Sequence, residues 1–234
     1  MRLYSHYCPS GFSNCYILGT DLPDAPPSEM APPHREVSLQ REALSPREAS
    51  LPREAIIIDP GEMDVNILNL IEDSDYTLKG VLITHDHPHH VKGLATIMRI
   101  YTAGIYSINP VIRDHRTTLV RDGDVVNIGS FRIEVISIPG HSADSAVFKI
   151  GWLLFTGDVL TAGLVGSTVS SYASATQASA LRSKILSLPG DDYIILPGHG
   201  PPSSLEAERR LNLDLNSFDQ RKNHHQLLDL ETSI

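Results

Sequence analysis

The sequence predicts a mixed α/β fold in which two β-sheets are covered by helices. Three observations carry that expectation. Short β-branched runs alternate with stretches of helical periodicity over most of the 234 residues. The text GDVVNIGSFRIEVISIPG reads as an antiparallel hairpin with Gly129 in its turn, which disfavours a purely parallel, doubly wound sheet. Hydrophobic residues make up 41% of the chain and charged residues 20%, enough for a core and inconsistent with wholesale disorder.

In chain order, strands are expected at residues 15–18, 55–59, 81–84, 125–128, 131–138, 146–150, 152–156 and 193–196, where β-branched and aromatic residues cluster between turn formers. Amphipathic periodicity places helices at 65–72, 90–101, 176–188 and 204–216. Residues 21–53 differ in kind. They hold seven of the sixteen prolines and a six-residue repeat that aligns Arg35, Arg41, Arg47 and Arg53. Pro46 and Pro52 forbid a continuous helix there, so the segment reads as a linker or flap inserted into a hairpin between CYIL and AIIID. The expectation is one domain over residues 1–234 carrying this Pro-rich insertion.

Charge and composition remove several function classes. Nineteen basic against twenty-eight acidic residues give a net charge of −9, which opposes attraction to phosphate backbones and anionic lipid surfaces. No apolar run approaches the roughly 18–20 residues that cross a bilayer. The text MRLYSHYCPSGFSNC lacks the pattern of a secretory signal, so the cytoplasm is the expected location, with Cys8 and Cys15 as reduced structural thiols. The expected partner is a small-molecule substrate rather than nucleic acid or membrane.

Four expected strands end alike: an apolar run stops and a metal-capable side chain follows. The endings are LITHDHPHH, SIPGHS, LFTGD and ILPGHG, and they carry His85, His87, His89, His90, His141, Asp158 and His199. Rigid strand ends deliver side chains to a common rim. His85-x-His87 after a strand puts two imidazoles on one side of a turn, able to grip one ion, and His89 and His90 are placed to reach a second. Asp158 supplies a carboxylate with two oxygens free to bridge. Ions held so close together would bind a hydroxide between them and polarise a carbonyl, which is hydrolytic chemistry. His6, His34, His115, His224 and His225 share no motif with this set and read as core or surface residues.

At these residues the sequence resembles the metallo-β-lactamase superfamily, whose order is H-x-H-x-D-H, G-H, G-D, G-H. Here the text is His85-Asp86-His87-Pro88-His89-His90, Gly140-His141, Gly157-Asp158 and Gly198-His199, with NCYIL and IIIDPG, containing Asp59 and Gly61, resembling the leading strands. The resemblance implies an αβ/βα four-layer sandwich with two mixed sheets flanked by helices. It also implies that His85, His87 and His141 hold one metal and that His90 and His199 hold a second. Asp158 would bridge the two, and Asp158 and His199 would be catalytic. The implied cofactor is a pair of zinc ions, with iron or manganese as alternatives. His89 stands where the family has an aspartate, which makes the site more positive by one charge. Either His89 is itself a ligand, joining His90 and His199, or it turns away and leaves one tightly held ion.

PGHGPPSSLEAERRLN after GDVLTAG further resembles compact glyoxalase II-like (hydroxyacylglutathione hydrolase-like) members, which cleave thioesters. The implied function is hydrolysis of a thioester or related ester by a metal-bound hydroxide. Two alternatives stand beside it: a sulfur dioxygenase-like enzyme with one iron at His85, His141 and Asp158, and a metal-binding module with weak catalysis. Arg209 and Arg210 read as a solvated helix face.

Overall fold

The apolar runs pair into two mixed six-stranded sheets among the residues that the computed structural model describes, 1–20 and 53–216. The first sheet contains Arg2–Cys8 (β1), Ser13–Gly19 (β2), Arg53–Ile58 (β3), Tyr76–Leu82 (β4), Gly104–Ser107 (β5) and Thr118–Leu119 (β6), in that spatial order. β1, β2 and β3 run antiparallel, and β3 to β6 run parallel. The second sheet contains Val125–Ile128 (β7), Phe131–Ser137 (β8), Ala146–Ile150 (β9), Leu153–Gly157 (β10), Ile194–Pro197 (β11) and Ser203–Ser204 (β12), ordered from β12 through β7. Only β10 and β11 pair in parallel within it.

The sheets stack face to face, and helices close the outer faces. Tyr16, Leu18, Ile56, Ile58 and Leu82 from the first sheet meet Phe131, Ile133, Val135, Phe148 and Phe155 from the second. The strand period of two sends the alternate residues outward: Cys15, Ile17, Ala55 and Ile57 pack under helices α1 (Val65–Asp73) and α3 (Leu94–Ile100). On the far side Val147, Leu154 and Ile195 pack under α4 (Ser171–Ala180), its π-helical continuation Leu181–Leu186, and α5 (Leu205–Leu211). Three apolar layers between four structural layers make the αβ/βα sandwich. Because the central strands are buried on both faces, they read as continuous apolar runs rather than alternating ones.

The expected hairpin is present, with β7 and β8 joined through Gly129 at φ +56°. β2 and β3 pair antiparallel, Gly19 opposite Ala55, as an interrupted hairpin requires. The insertion itself, 21–52, lies outside the described residues, while Arg53 opens β3. Several boundaries differ from expectation. The helix expected over 90–101 is two, α2 (Pro88–Val91) and α3, broken at Gly93; a Cβ there would stand 2.6 Å from the Glu62 carbonyl oxygen. α4 starts five residues before the expected 176, capped by the Ser170 hydroxyl, because its Ser/Ala-rich text carries almost no apolar stripe. α5 stops at Leu211, before Asn212.

Arg209 is not a solvated group. Its guanidinium donates to the carbonyls of Leu186, Leu188 and Gly190 and pairs with Asp191, closing the end of the π-helical segment. Arg210, by contrast, is exposed and paired with Glu206 one turn back. No helix among the described residues is long and apolar enough to cross a membrane.

Candidate metal centre

The ends of both sheets meet at one edge, held there by hydrogen bonds between them. Asn14 N–H donates to Gly198 O at 2.7 Å, Tyr16 hydroxyl to Pro197 O at 2.8 Å, and Ala146 N–H to Thr84 O at 2.9 Å. These bonds bring the segments after β4, β8, β10 and β11 together although they are spread over more than 110 residues. Glycine is required where β11 ends: a Cβ on Gly198 would lie 2.5 Å from both Asp158 Oδ1 and His90 Cε1.

Six of the seven expected residues point into this edge. His85 Nε2 is 2.9 Å from His87 Nδ1, which is 3.0 Å from His141 Nε2. Asp158 Oδ2 lies 3.6 Å from His85 Nε2 and 3.5 Å from both His141 Nε2 and His199 Nε2, while Oδ1 lies 3.3 Å from His90 Nε2. Donor atoms of His85, His87, His141 and Asp158 form one convergent group, and those of His90, His199 and Asp158 another. The carboxylate belongs to both.

His89 stands apart. Its side chain is exposed, its ring centre is 6.1 Å from that of His199, and its donors join neither group. The reason is local: α2 begins at Pro88, and consecutive residues on a helix are turned by about 100°, so one of two neighbouring histidines faces in and the other out. His90 is the one turned in, fully buried.

Hydrogen bonds behind the rings set which nitrogen carries the proton. His141 Nδ1 donates to Ser167 O at 2.8 Å and His199 Nδ1 to Phe12 O at 2.7 Å, since a carbonyl only accepts. Thr84 Oγ1 gives its own proton to Asp59 Oδ2 at 2.6 Å and so accepts from His85 Nδ1 at 3.0 Å. In all three rings Nε2 is thereby left with its lone pair facing the centre, the arrangement that outer partners impose on metal-binding imidazoles. Asp59 was legible as a strand-end carboxylate; its oxygens are directed at Thr84 and at His90 Nδ1, 3.2 Å away, so that it forms a further close group with His85 and His90 but does not share the groups that contain Asp158.

Electrostatically the cluster is strained. Burial, reinforced by the charge of His90, pushes His85 down to about 3. Burial also opposes charge on His90, but Asp158 and Asp59 on either side raise it to about 10. Burial would raise Asp158, yet His90 and the surrounding histidines hold it well below the usual carboxylate range. Both nitrogens of His90 and Oδ1 of Asp158 are buried, and their contacts at 3.2 and 3.3 Å are charge pairs that lack hydrogen-bond geometry. Poorly aligned buried polar atoms, imidazole lone pairs and a shared carboxylate together suit a divalent cation. His6, read as an isolated histidine, lies near Cys8 and Glu62 instead.

Known proteins place this geometry in a family. A family model described as the metallo-beta-lactamase superfamily matches residues 51–199. Hydroxyacylglutathione hydrolase GloC of Haemophilus influenzae is 30% identical over 190 residues, covering 70% of this chain and 88% of its own length. The crystal structure of ETHE1 from Myxococcus xanthus shares the fold at TM-score 0.69 and 24% identity, covering 91% of this chain and 84% of that one. So does TTHA1623, solved in a di-iron-bound form, at TM-score 0.59 and 24% identity, covering 68% of this chain and 88% of that one. The chain belongs to the metallo-β-lactamase superfamily, as a glyoxalase II-like metallohydrolase within it.

Proposed function

We propose that this enzyme hydrolyses a small acyl thioester, with a hydroxyacyl-glutathione as the first substrate to try. One observation carries the reading: five imidazoles and one carboxylate from four strand ends converge in two groups that share Asp158, with the donors of each group within 4.8 Å of one another. In the proposal His85, His87 and His141 hold one divalent ion, His90 and His199 hold a second, and Asp158 is shared. Zinc suits this nitrogen and oxygen donor set, with iron or manganese as alternatives. Such ions supply Lewis acidity and lower the pKa of water.

The chain's own groups orient and shield. Ser167 O, Phe12 O and Thr84 Oγ1 fix the rings of His141, His199 and His85, so no reorganisation is needed when charge develops on the substrate. Asp158 and His199 are the catalytic groups of the proposal, because His199 is about a third exposed and open to a substrate, and Asp158 lies beside it. Phe12, 70% exposed and adjacent to His199 through its carbonyl, offers an apolar wall at the open side. The reaction adds water to the acyl carbon, breaks the C–S bond, and releases an acid and a thiol. The free, buried Cys8 and Cys15 suit the reducing cytoplasm.

An iron oxygenase at His85, His141 and Asp158 would leave His87, His90 and His199 without a role, although all three point into the same space. The deciding experiment follows thiol release from the thioester by metal-replete enzyme. Turnover should fall about 10²–10³-fold in Asp158→Ala and His87→Ala. Full turnover after metal removal, or oxygen uptake on a glutathione persulfide without thioester hydrolysis, would overturn the reading.

A further inference from the structure

A second set of metal-capable side chains converges away from the centre described above. β1 alternates its residues between solvent and core, and His6 and Cys8 both lie on the inward side. The loop between β3 and α1 brings Glu62 and Asp64 against them. Donor atoms of His6, Cys8 and Glu62 lie within 4.8 Å of one another. His6 Nε2 is 3.9 Å from Glu62 Oε1 and 3.3 Å from Asp64 Oδ2. Neighbouring donors in a tetrahedral zinc site with bonds of 2.0–2.3 Å stand about 3.3–3.8 Å apart, so the two separations from His6 need little adjustment, while Asp64, outside the group of His6, Cys8 and Glu62, has to move toward the other two.

The donors are also aimed. Ser10 hydroxyl donates to Glu62 Oε2 at 3.0 Å and leaves Oε1 toward His6. Asp64 Oδ1 caps α1 by accepting the N–H groups of Asn66 and Ile67, each at 3.0 Å, while Oδ2 accepts from Asn66 Nδ2 at 3.0 Å and turns its remaining lone pair toward His6 Nε2, 3.3 Å away. The Glu62 N–H donates to Cys8, whose side chain is wholly buried. His6 Nε2 is itself buried and makes no hydrogen bond.

We propose that His6, Cys8 and Glu62, completed by Asp64, form a structural zinc site distinct from the strand-end centre. A thiolate and the Glu62 carboxylate offset the dication's charge, and a thiolate–imidazole set favours zinc over magnesium or calcium. Burial pushes the Cys8 thiol up to about 11, so the ion itself displaces the proton on binding. His6, Cys8 and Glu62 supply three converging donors, and Asp64, which lies beside His6 but outside that group, would turn in as the fourth, closing the sphere as in a structural rather than a catalytic site. Such an ion would tie β1 to the loop before α1. Ser13, beside Cys8, carries the link onward by donating to His89 O at 2.6 Å.

The donor chemistry supplies the test. The strand-end centre has only nitrogen and oxygen donors, so a thiolate-to-cobalt charge-transfer band in cobalt-loaded protein reports this site alone. The full-length chain, stripped and titrated with Co²⁺, should show that band. It should persist in His87→Ala and in Cys15→Ser and vanish in Cys8→Ser. Glu62→Gln, at a partly exposed position that does not endanger folding, should weaken the titration about tenfold or more. Absence of the band from cobalt-saturated wild type, or its survival in Cys8→Ser, would overturn the proposal. Neither result depends on whether the enzyme is a thioesterase.

Discussion

Asp59 Oδ2 lies 3.2 Å from His90 Nδ1, and the same carboxylate takes both the N–H and the hydroxyl of Thr84, at 2.8 and 2.6 Å. Asp59 thereby aligns His90 directly and His85 through Thr84, so one positioning residue serves both ligand groups. Asp59→Ala should lower metal affinity about 10- to 100-fold. Competition against a chromophoric chelator measures it, and unchanged affinity would remove Asp59 from this role.

His89 is exposed and outside both convergent groups, so His89→Ala should leave the number of bound ions unchanged and alter turnover less than about tenfold. Elemental analysis of metal-saturated variant and wild type decides it. Loss of one ion per chain in the variant would make His89 a ligand after all.

The metal-free protein should be most stable near pH 6.5. Buried His85 stays neutral down to about 3, whereas an unfolded histidine takes up its proton at 6.5. Between those values the unfolded chain binds more protons, so stability falls as the pH is lowered. His90 acts on the other limb. It keeps its proton up to about 10 against 6.5 unfolded, so its contribution is complete below 6.5 and is lost as the pH rises through 10. Urea midpoints of chelator-treated protein should peak between the limbs, and a profile still rising at pH 9 would contradict this.

Arg209 closes three carbonyls at the end of the π-helical segment from the neighbouring α5. Arg209→Ala should destabilise the protein by about 2–3 kcal/mol, the cost of leaving partly buried carbonyls without a charged donor. Arg209→Lys should recover only a minor part, since an ammonium cannot reproduce the planar fork. Denaturant unfolding gives the values, and thioester turnover should be unchanged at a temperature where both variants are folded.

Much of this was legible in the sequence, for identifiable reasons. β3, β9, β10 and the second half of β4 are buried on both faces, and the resulting runs of Ile, Val, Leu and Phe declare themselves without structure. Strand endings gathered His85, His87, His141, Asp158 and His199 because each stands within a few residues of the end of an apolar run. β1 was not expected, because RLYSHYC alternates polar and apolar residues and buries only Cys8 completely. The break at Gly93 depends on the Glu62 carbonyl, and the outward turn of His89 depends on a helix starting at Pro88. The His6, Cys8 and Glu62 group joins residues more than fifty positions apart through a β-pairing and a loop, which no local pattern records.

Diffraction from zinc-loaded crystals, recorded on both sides of the zinc absorption edge, tests the central claim most directly. The account predicts two anomalous peaks at the strand-end centre. One should lie about 2.0–2.2 Å from donors of His85, His87 and His141 and the other at that distance from His90 and His199, with Asp158 reaching both. An ordered centre with those six side chains in place and no anomalous peak among them would contradict it.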